Sequence, residues 1–314
     1  MKDFNEKIAI LIPCYNEELT IKKVIDDFKT ELPNSVIYVY DNNSTDNTSN
    51  IAKSEGAIVV YEKNQGKGNV VRSMFRDIDA DIYVMVDGDD TYPANEAYKL
   101  IDAIRDGNDM AIGDRLSSTY FSENERPFHN FGNELVRWLV NKIFNSNIQD
   151  IMTGYRAFSK RFVKTNAIMS PGFQIETELT ILSLEYRYNI KEIPIQYRDR
   201  PSGSESKLNT ISDGIKVLIT LFDMFKDHRP LLFFSFVSLF FVVVGLLVGV
   251  PVIVEFCMTN YVSKIPSAVL SSSLITISII SIVLGIILDH QTNIDKKKHE
   301  LNVIDWVERN EKNK

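Results

Sequence analysis

Three carboxylates crowd into the four residues that follow an apolar run: Tyr83, Val84, Met85 and Val86 lead directly into Asp87, Gly88, Asp89 and Asp90. Like charges this close repel one another, so a positive partner is expected among them. Asp87 and Asp89, one residue apart, can offer oxygens to a single hard divalent ion. Mg²⁺ or Mn²⁺ would fit, because such ions take one or two carboxylates and complete their shell from substrate phosphates. Gly88 lets the backbone turn and a ligand come close. An acidic surface turn is the plainer reading of the same letters, since Asp and Gly are both turn residues. The strongly apolar run feeding the cluster argues against it.

Two more polar clusters close apolar runs in the same manner: Tyr15-Asn16-Glu17 after residues 7–14, and Asp41-Asn42-Asn43 after residues 35–40. Segments 7–16, 35–41, 57–63 and 81–87 are short, rich in Val, Ile and Tyr, and bounded by turn residues, which predicts strands. Helical spacing fills the gaps at 17–30 (Leu19, Val24, Ile25 and Phe28 on one face), 46–55, 67–78 and 94–105. Ser44 or Thr45 reads as the N-cap of the second helix, with Asp46 in its first turn. Strands alternating with helices imply an α/β fold with a mixed, mostly parallel sheet covered on both faces. Ligands of such sheets bind at the carboxyl ends of the strands, so the three clusters should share one crevice. Further on, 130–144 and 176–188 read as helices, and 153–159 and 190–197 as strands. Within the first of these helices, "ELVRW" (134–138) is placed like its apolar face.

The 314-residue chain is 44% hydrophobic and 25% charged, as a folded protein is, and its net charge of −7 argues against nucleic acid as a partner. Cys14 and Cys257 lie far apart, which supports neither a disulfide framework nor a zinc site. The charged start, residues 1–7, does not read as a signal peptide. Segments 231–254 and 265–288 carry no charged side chain and are long enough for a transmembrane hairpin. Lys226 and Arg229 precede the first span, and Lys296, Lys297 and Lys298 follow the second. The positive-inside tendency then puts both chain ends in the cytoplasm of a multi-pass membrane protein. Leu208, Ile211, Ile215, Leu218, Phe222 and Phe225 suit an amphipathic helix lying on the membrane lipid. The expected organisation is a cytoplasmic domain over 1–207 that carries the polar clusters, a juxtamembrane helix over 208–229, two spans within 230–289 and a cytoplasmic tail over 290–314.

In chain order, "IPCYNE" (12–17), "DNNSTDNT" (41–48), "NQGKGNV" (64–70) and "VDGDD" (86–90) resemble the motifs of family-two glycosyltransferases with the GT-A nucleotide-sugar-binding fold. "GDR" (113–115), "TGYRAF" (153–158) and "YRDRPSGSESKLNT" (197–210) look most like the polyprenyl-phosphate sugar synthases, the dolichyl-phosphate mannose synthase and bactoprenol glucosyltransferase group. The resemblance implies that Pro13, Tyr15, Asn16 and Glu17 line the nucleotide pocket, with Asp41 on the uracil or ribose side of a UDP-sugar. Asn42 stands where an acid is more usual. Lys67 belongs to the donor side on a flexible "GKG" turn, which is not a phosphate loop of the G-x-x-x-x-G-K-[ST] kind. Asp87, Gly88 and Asp89 match the metal-binding motif, and Asp90 flanks it.

A polyprenyl phosphate acceptor needs cations near the membrane, and guanidinium suits phosphate. The candidates are Arg115, Arg126, Arg156, Arg200 and Lys207, with Asn130 one helical turn after Arg126. A phosphate monoester is largely doubly ionised at neutral pH and needs little help from a base. Its direct attack inverts the anomeric centre. Asp89, Arg200 and Glu176 form the expected catalytic set, with Glu176 or Glu178 orienting the sugar or assisting proton transfer. Glucose and N-acetylglucosamine are the hexoses the resemblance implies, and a homo-oligomer is compatible with it. A processive polysaccharide synthase and a non-catalytic sugar-nucleotide-binding scaffold are the rival readings; two spans are few for the first, and the intact Asp87 and Asp89 speak against the second.

Overall fold

The computed structural model describes residues 6–117, 127–201, 219, 222–223 and 225–312, with side chains from residue 134 onward in the second stretch. A seven-stranded sheet runs in the order β3-β2-β1-β4-β6-β5-β7. β1 (Ile8–Cys14) pairs in parallel with β2 (Val36–Asp41) and β4 (Ile82–Met85), and β2 with β3 (Ile58–Tyr61). The register sets Cys14 beside Asp41, so the ends of β1 and β2 lie level. β6 (Arg156–Ser159) is antiparallel to both of its neighbours, β4 and β5 (Met110–Asp114). β7 (Ile190–Pro194) closes the far edge in parallel with β5. β5 carries no strand signal distinct from its surroundings: "MAIGD" is short and buried throughout, and only the sheet on both sides makes it a strand.

β1 and β4 are near-continuous apolar runs because both of their faces are covered. α1 (Ile21–Glu31) buries Ile21, Val24, Ile25 and Phe28, the predicted spacing. It starts four residues later than expected, however, and Leu19 lies in the preceding turn, 64% exposed. α2 (Thr48–Ser54), α3 (Lys67–Asp77) and α4 (Ala97–Arg105), the last preceded by a 3₁₀ turn at Ala94–Glu96, complete the first half. α5 (Pro127–Phe144), the short α6 (Lys160–Thr165) capped by Ser159, and α7 (Ile175–Glu185) follow. On α5, Val136 and Val140 face inward whereas Trp138 is 61% exposed, so "ELVRW" is not an apolar face.

The chain divides into two compact units, one built from residues 1–218 with 301–314 and the other from 219–300. α8 (Pro230–Thr259) and α9 (Ile265–Lys312) are long and apolar enough to cross a bilayer, with most of their apolar side chains exposed. They approach closely where residues are small: Ser271 Oγ donates to the Gly245 carbonyl at 2.8 Å, and Ser238 and Ser278 hydroxyls meet at 2.8 Å. Gly249 sits so near Ser271 that a Cβ there would lie 2.2 Å from its hydroxyl. The tail after 290 is helical as far as Lys312. Of the expected juxtamembrane helix, 219, 222–223 and 225–229 are described, helical except for a bend at 229.

Candidate active site

Each polar cluster at a strand end contains one non-glycine residue in the left-handed region: Asn16 (φ 53°), Asn43 (φ 65°) and Asp90 (φ 60°). Asn and Asp tolerate this geometry best among such residues, and it turns the chain sharply as it leaves the sheet. The turns are then laced together. The backbone N–H of Asn16 donates to Ser44 Oγ at 2.9 Å, and its side-chain oxygen receives Thr45 N at 2.8 Å. Thr48 Oγ1 receives Glu17 N at 2.9 Å. Ser44 and Thr45 are therefore occupied with the β1 turn and do not cap α2. Asp46 holds the start of that helix instead, receiving Thr48 N at 3.0 Å and Glu18 N at 3.1 Å.

Asp41 is buried and receives Ser44 N at 3.2 Å and Ser49 Oγ at 2.8 Å. Asn42 is also buried, and it departs from the expectation of a nucleotide contact. Its amide nitrogen donates to the carbonyls of Glu62 and Asn64, each at 2.8 Å, and its oxygen receives Gly66 N at 2.7 Å. The side chain is spent on holding the β3–α3 loop. Pro13 is half-buried and Tyr15 is 38% exposed, leaving an aromatic face open at the end of β1.

Gly66-Lys67-Gly68 is not a flexible turn. Lys67 is the first residue of α3, and the two glycines are pressed against the backbone of Ser170 and Pro171. A Cβ on Gly68 would lie 1.9 Å from the Ser170 carbonyl oxygen, and one on Gly66 2.2 Å from that of Pro171. This tight seat aims Lys67 between Asp87, at 2.5 Å, and Glu176, at 2.6 Å. Burial works against the ammonium charge, but Asp87 and Glu176 outweigh it and hold Lys67 protonated well above the ordinary lysine range. Glu178 faces elsewhere, receiving Met169 N and Ser170 N at 2.8 Å each. Both glutamates are buried, so neither is a solvated helix start, and only Glu176 reaches the acid cluster.

Asp89 is 4% exposed, receives Thr91 Oγ1 at 2.7 Å and pairs with Arg200 at 2.5 Å. Burial first, and then the charge on Asp87, raise its carboxyl pKa; Arg200 and Thr91 oppose the shift. Arg200 also faces Glu17 at 3.9 Å. Asp90 is paired with Lys23 at 2.7 Å and Arg198 at 3.7 Å. Gly88 is held by its carbonyl, which receives Thr20 Oγ1 at 2.7 Å. Sequence patterns alone do not single out Thr20, Lys23 or Thr91, and the expected set passes over Arg198. Arg198 had a legible signal all the same, because residues two apart in an extended "RDR" fall on one side of the chain.

Asp87 and Asp89 fit a hard divalent cation. Their oxygens are the donor type such ions prefer, and Gly154 leaves room at Asp87, since a Cβ there would lie 2.4 Å from Oδ2. Among the described residues no group of three or more His, Cys, Asp or Glu side chains forms a self-sufficient metal cage. Phosphate oxygens would have to complete the shell.

Two arginines expected at an acceptor phosphate are placed otherwise. Arg156 is wholly buried, donating to the Thr153 carbonyl at 3.0 Å, the Ile151 carbonyl at 2.5 Å and Thr180 Oγ1 at 2.9 Å. Burial pushes its pKa down to about 10, and it serves the core. Arg115, 8% exposed, makes a two-pronged pair with Asp150 at 2.8 and 3.0 Å beneath the Tyr197 ring. It braces the wall of the site. Arg126 and Lys207 lie outside the described residues, as does the side chain of Asn130.

The family model for Glycosyl transferase family 2 matches residues 9–166. Glycosyltransferase AglJ of Haloferax volcanii is 33% identical over 285 residues, 90% of this chain and 93% of that protein. The dolichyl-phosphate hexose transferase of the same organism is 30% identical over 212 residues, 68% of this chain and 91% of that protein. Among solved structures, glucosyl-3-phosphoglycerate synthase of Mycobacterium tuberculosis, in complex with Mn²⁺ and UDP-glucose, superposes with a TM-score of 0.52 at 21% identity, covering 69% of this chain and 79% of that one. That likeness is one of fold.

Proposed function

This chain belongs to glycosyltransferase family 2, and from that premise we propose that it transfers glucose or N-acetylglucosamine from a UDP-sugar to a polyprenyl phosphate, with inversion at the anomeric carbon. The observation that carries the reading is the acid cluster at the end of β4, in which Lys67 pairs with Asp87 and Arg200 with Asp89. Anionic oxygens concentrated between two cations suit a dication shared with a diphosphate on one side and a phosphate acceptor on the other. The relative that acts, by its name, on dolichyl phosphate supports the acceptor class, and the two helices able to span a bilayer would keep the enzyme where such a lipid resides.

The residues divide the work. Tyr15 and the Asp41 turn face the nucleotide. A divalent ion held by Asp87 and Asp89 would neutralise charge that develops on the departing diphosphate. Lys67 keeps Asp87 and Glu176 at fixed positions, and Glu176 is the buried carboxylate assigned to orient the sugar. Arg200 offers a planar fork to the acceptor phosphate, whose own oxygen is nucleophile enough without a strong base. The catalytic domain and both chain ends are assigned to the cytoplasm, where nucleotide sugars are made available.

The test uses the purified full-length protein, a panel of labelled nucleotide sugars, undecaprenyl phosphate and Mg²⁺ or Mn²⁺. A labelled lipid should form with one UDP-hexose and disappear when EDTA removes the ion. Transfer to no lipid phosphate from any donor would overturn the proposal. Elongation of a glycan chain in the same assay would favour the processive synthase instead.

A further inference from the structure

The segment 197–201 lies across the acid cluster and is fixed there at two levels. Its backbone is tied down by Arg198 N, which donates to the Thr91 carbonyl at 2.9 Å, and the Arg198 side chain faces Asp90 at 3.7 Å. Two residues on, Arg200 turns both terminal nitrogens of its guanidinium toward acids: Nη2 to Asp89 at 2.5 Å and Nη1 to Glu17 at 3.9 Å. Asp89 and Glu17 are buried, at 4% and 8% exposed. A carboxylate so placed is costly to leave without a counter-charge. An anionic acceptor approaching Arg200 in this state would also meet two carboxylates at close range, and the low polarity of the site magnifies the repulsion.

We propose that Arg200 is a shared counter-ion that enforces binding order: it neutralises Asp89 until the donor diphosphate and its divalent cation take over that carboxylate, and only then turns to the phosphate of the acceptor. The inference rests on the acceptor class assigned above. Donor and acceptor never touch the same atoms at the outset; they are coupled because each competes for, or is served by, one guanidinium. The anchored Arg198 means that the backbone stays in place and the movement is a side-chain rotation. Since coupling of this kind is reciprocal, an acceptor phosphate would equally tighten the donor.

The test measures binding of farnesyl phosphate to the full-length protein in detergent by calorimetry. In the wild type, Mn²⁺ with UDP should tighten farnesyl phosphate roughly tenfold, within the usual range of such couplings, whereas UDP with EDTA should not. Asp89→Asn should bind farnesyl phosphate tightly without Mn²⁺ and UDP and gain nothing from adding them. Asp89→Asn made in an Arg200→Ala background should leave farnesyl phosphate affinity unchanged, because the released group is gone. Persistence of the tightening in that background would mean a general loss of negative charge and would overturn the proposal. So would a wild-type affinity indifferent to Mn²⁺ and UDP, even in a protein that binds farnesyl phosphate and makes the labelled lipid. Failure of farnesyl phosphate to bind in every arm would overturn the acceptor assignment, and the ordering with it.

Discussion

At the scale of single residues, Asn42 shows why a letter can mislead about its own job. Its two N–H bonds point at carbonyl oxygens, so the acid common at this position in similar enzymes would here set a carboxylate against two acceptors. Asn42→Asp should cost about 2–3 kcal/mol, as buried polar groups that lose their partners do, and should weaken UDP binding as the Gly66 loop shifts. Thermal unfolding and a UDP titration would check both, and an unchanged melting temperature would remove Asn42 from the scaffold. Lys67 poses the complementary case of a cation between two acids. Lys67→Met should destabilise the protein by about 3 kcal/mol, the scale for breaking a buried pair, and adding Glu176→Gln should recover part of that loss. Asp89→Asn should lower kcat at least about 100-fold, as removal of a preorganised electrostatic group does, with a melting temperature close to that of the wild type. The acids themselves were readable from sequence, because charge crowded after an apolar strand demands a counter-charge. Arg115 and Arg156 were not, since nothing local distinguishes an arginine bound for a phosphate from one that will pair with Asp150 or fill a polar hole in the core.

At the scale of elements, the first four strands and their helices were legible: burial on both faces leaves continuous apolar runs in β1 and β4, whereas the edge strand β3, exposed at Ile58 and Tyr61, shows instead as a short β-branched and aromatic run between turn residues. β5 was not, and the direction of β6 was not: both are decided by neighbours distant in sequence. The start of α3 runs against its letters for a more specific reason. Two glycines around a lysine suggest mobility, yet here they permit contact with residues 170–171 so close that any side chain is excluded. Gly68→Ala should therefore push α3 from that backbone and cost about 1–3 kcal/mol, the range for overpacking; crystallography or thermal unfolding would register the shift, and a neutral effect would contradict the tight seat. β7 supplies a pH-dependent brace. Glu192 receives Gln149 N at 2.7 Å and Asp150 N at 3.0 Å, and burial raises its carboxyl above the usual 4.5 despite those bonds. A raised value means that the folded state binds the proton more tightly than the unfolded one. The stabilisation from Glu192 is complete below pH 4.5 and fades as pH rises through the raised value. Glu192→Gln should flatten that part of the stability profile.

At the scale of the whole molecule, the two cysteines provide a built-in topological probe. Cys14 is buried at the end of β1, and Cys257 is exposed in the last turns of α8, before the link to α9. If both chain ends are cytoplasmic, a membrane-impermeant maleimide applied to spheroplasts should label Cys257 alone, and Cys257→Ser should abolish the signal; labelling only after lysis would invert the assigned orientation. The two long apolar helices were plain in the sequence, because each is an uncharged stretch of the length a bilayer core requires. The helical continuation of α9 to Lys312 was not, as that stretch is highly charged. The placing of β6 between β4 and β5 carries a consequence for synthesis on the ribosome. When β5 emerges it has no place to dock, since the strand that must separate it from β4 lies more than forty residues downstream. The nascent chain must therefore wait with the side of β4 uncovered, an invitation to aberrant strand pairing. Stalled chains ending before residue 156 should bind trigger-type chaperones and resist maturation, and release should coincide with the arrival of a single four-residue strand.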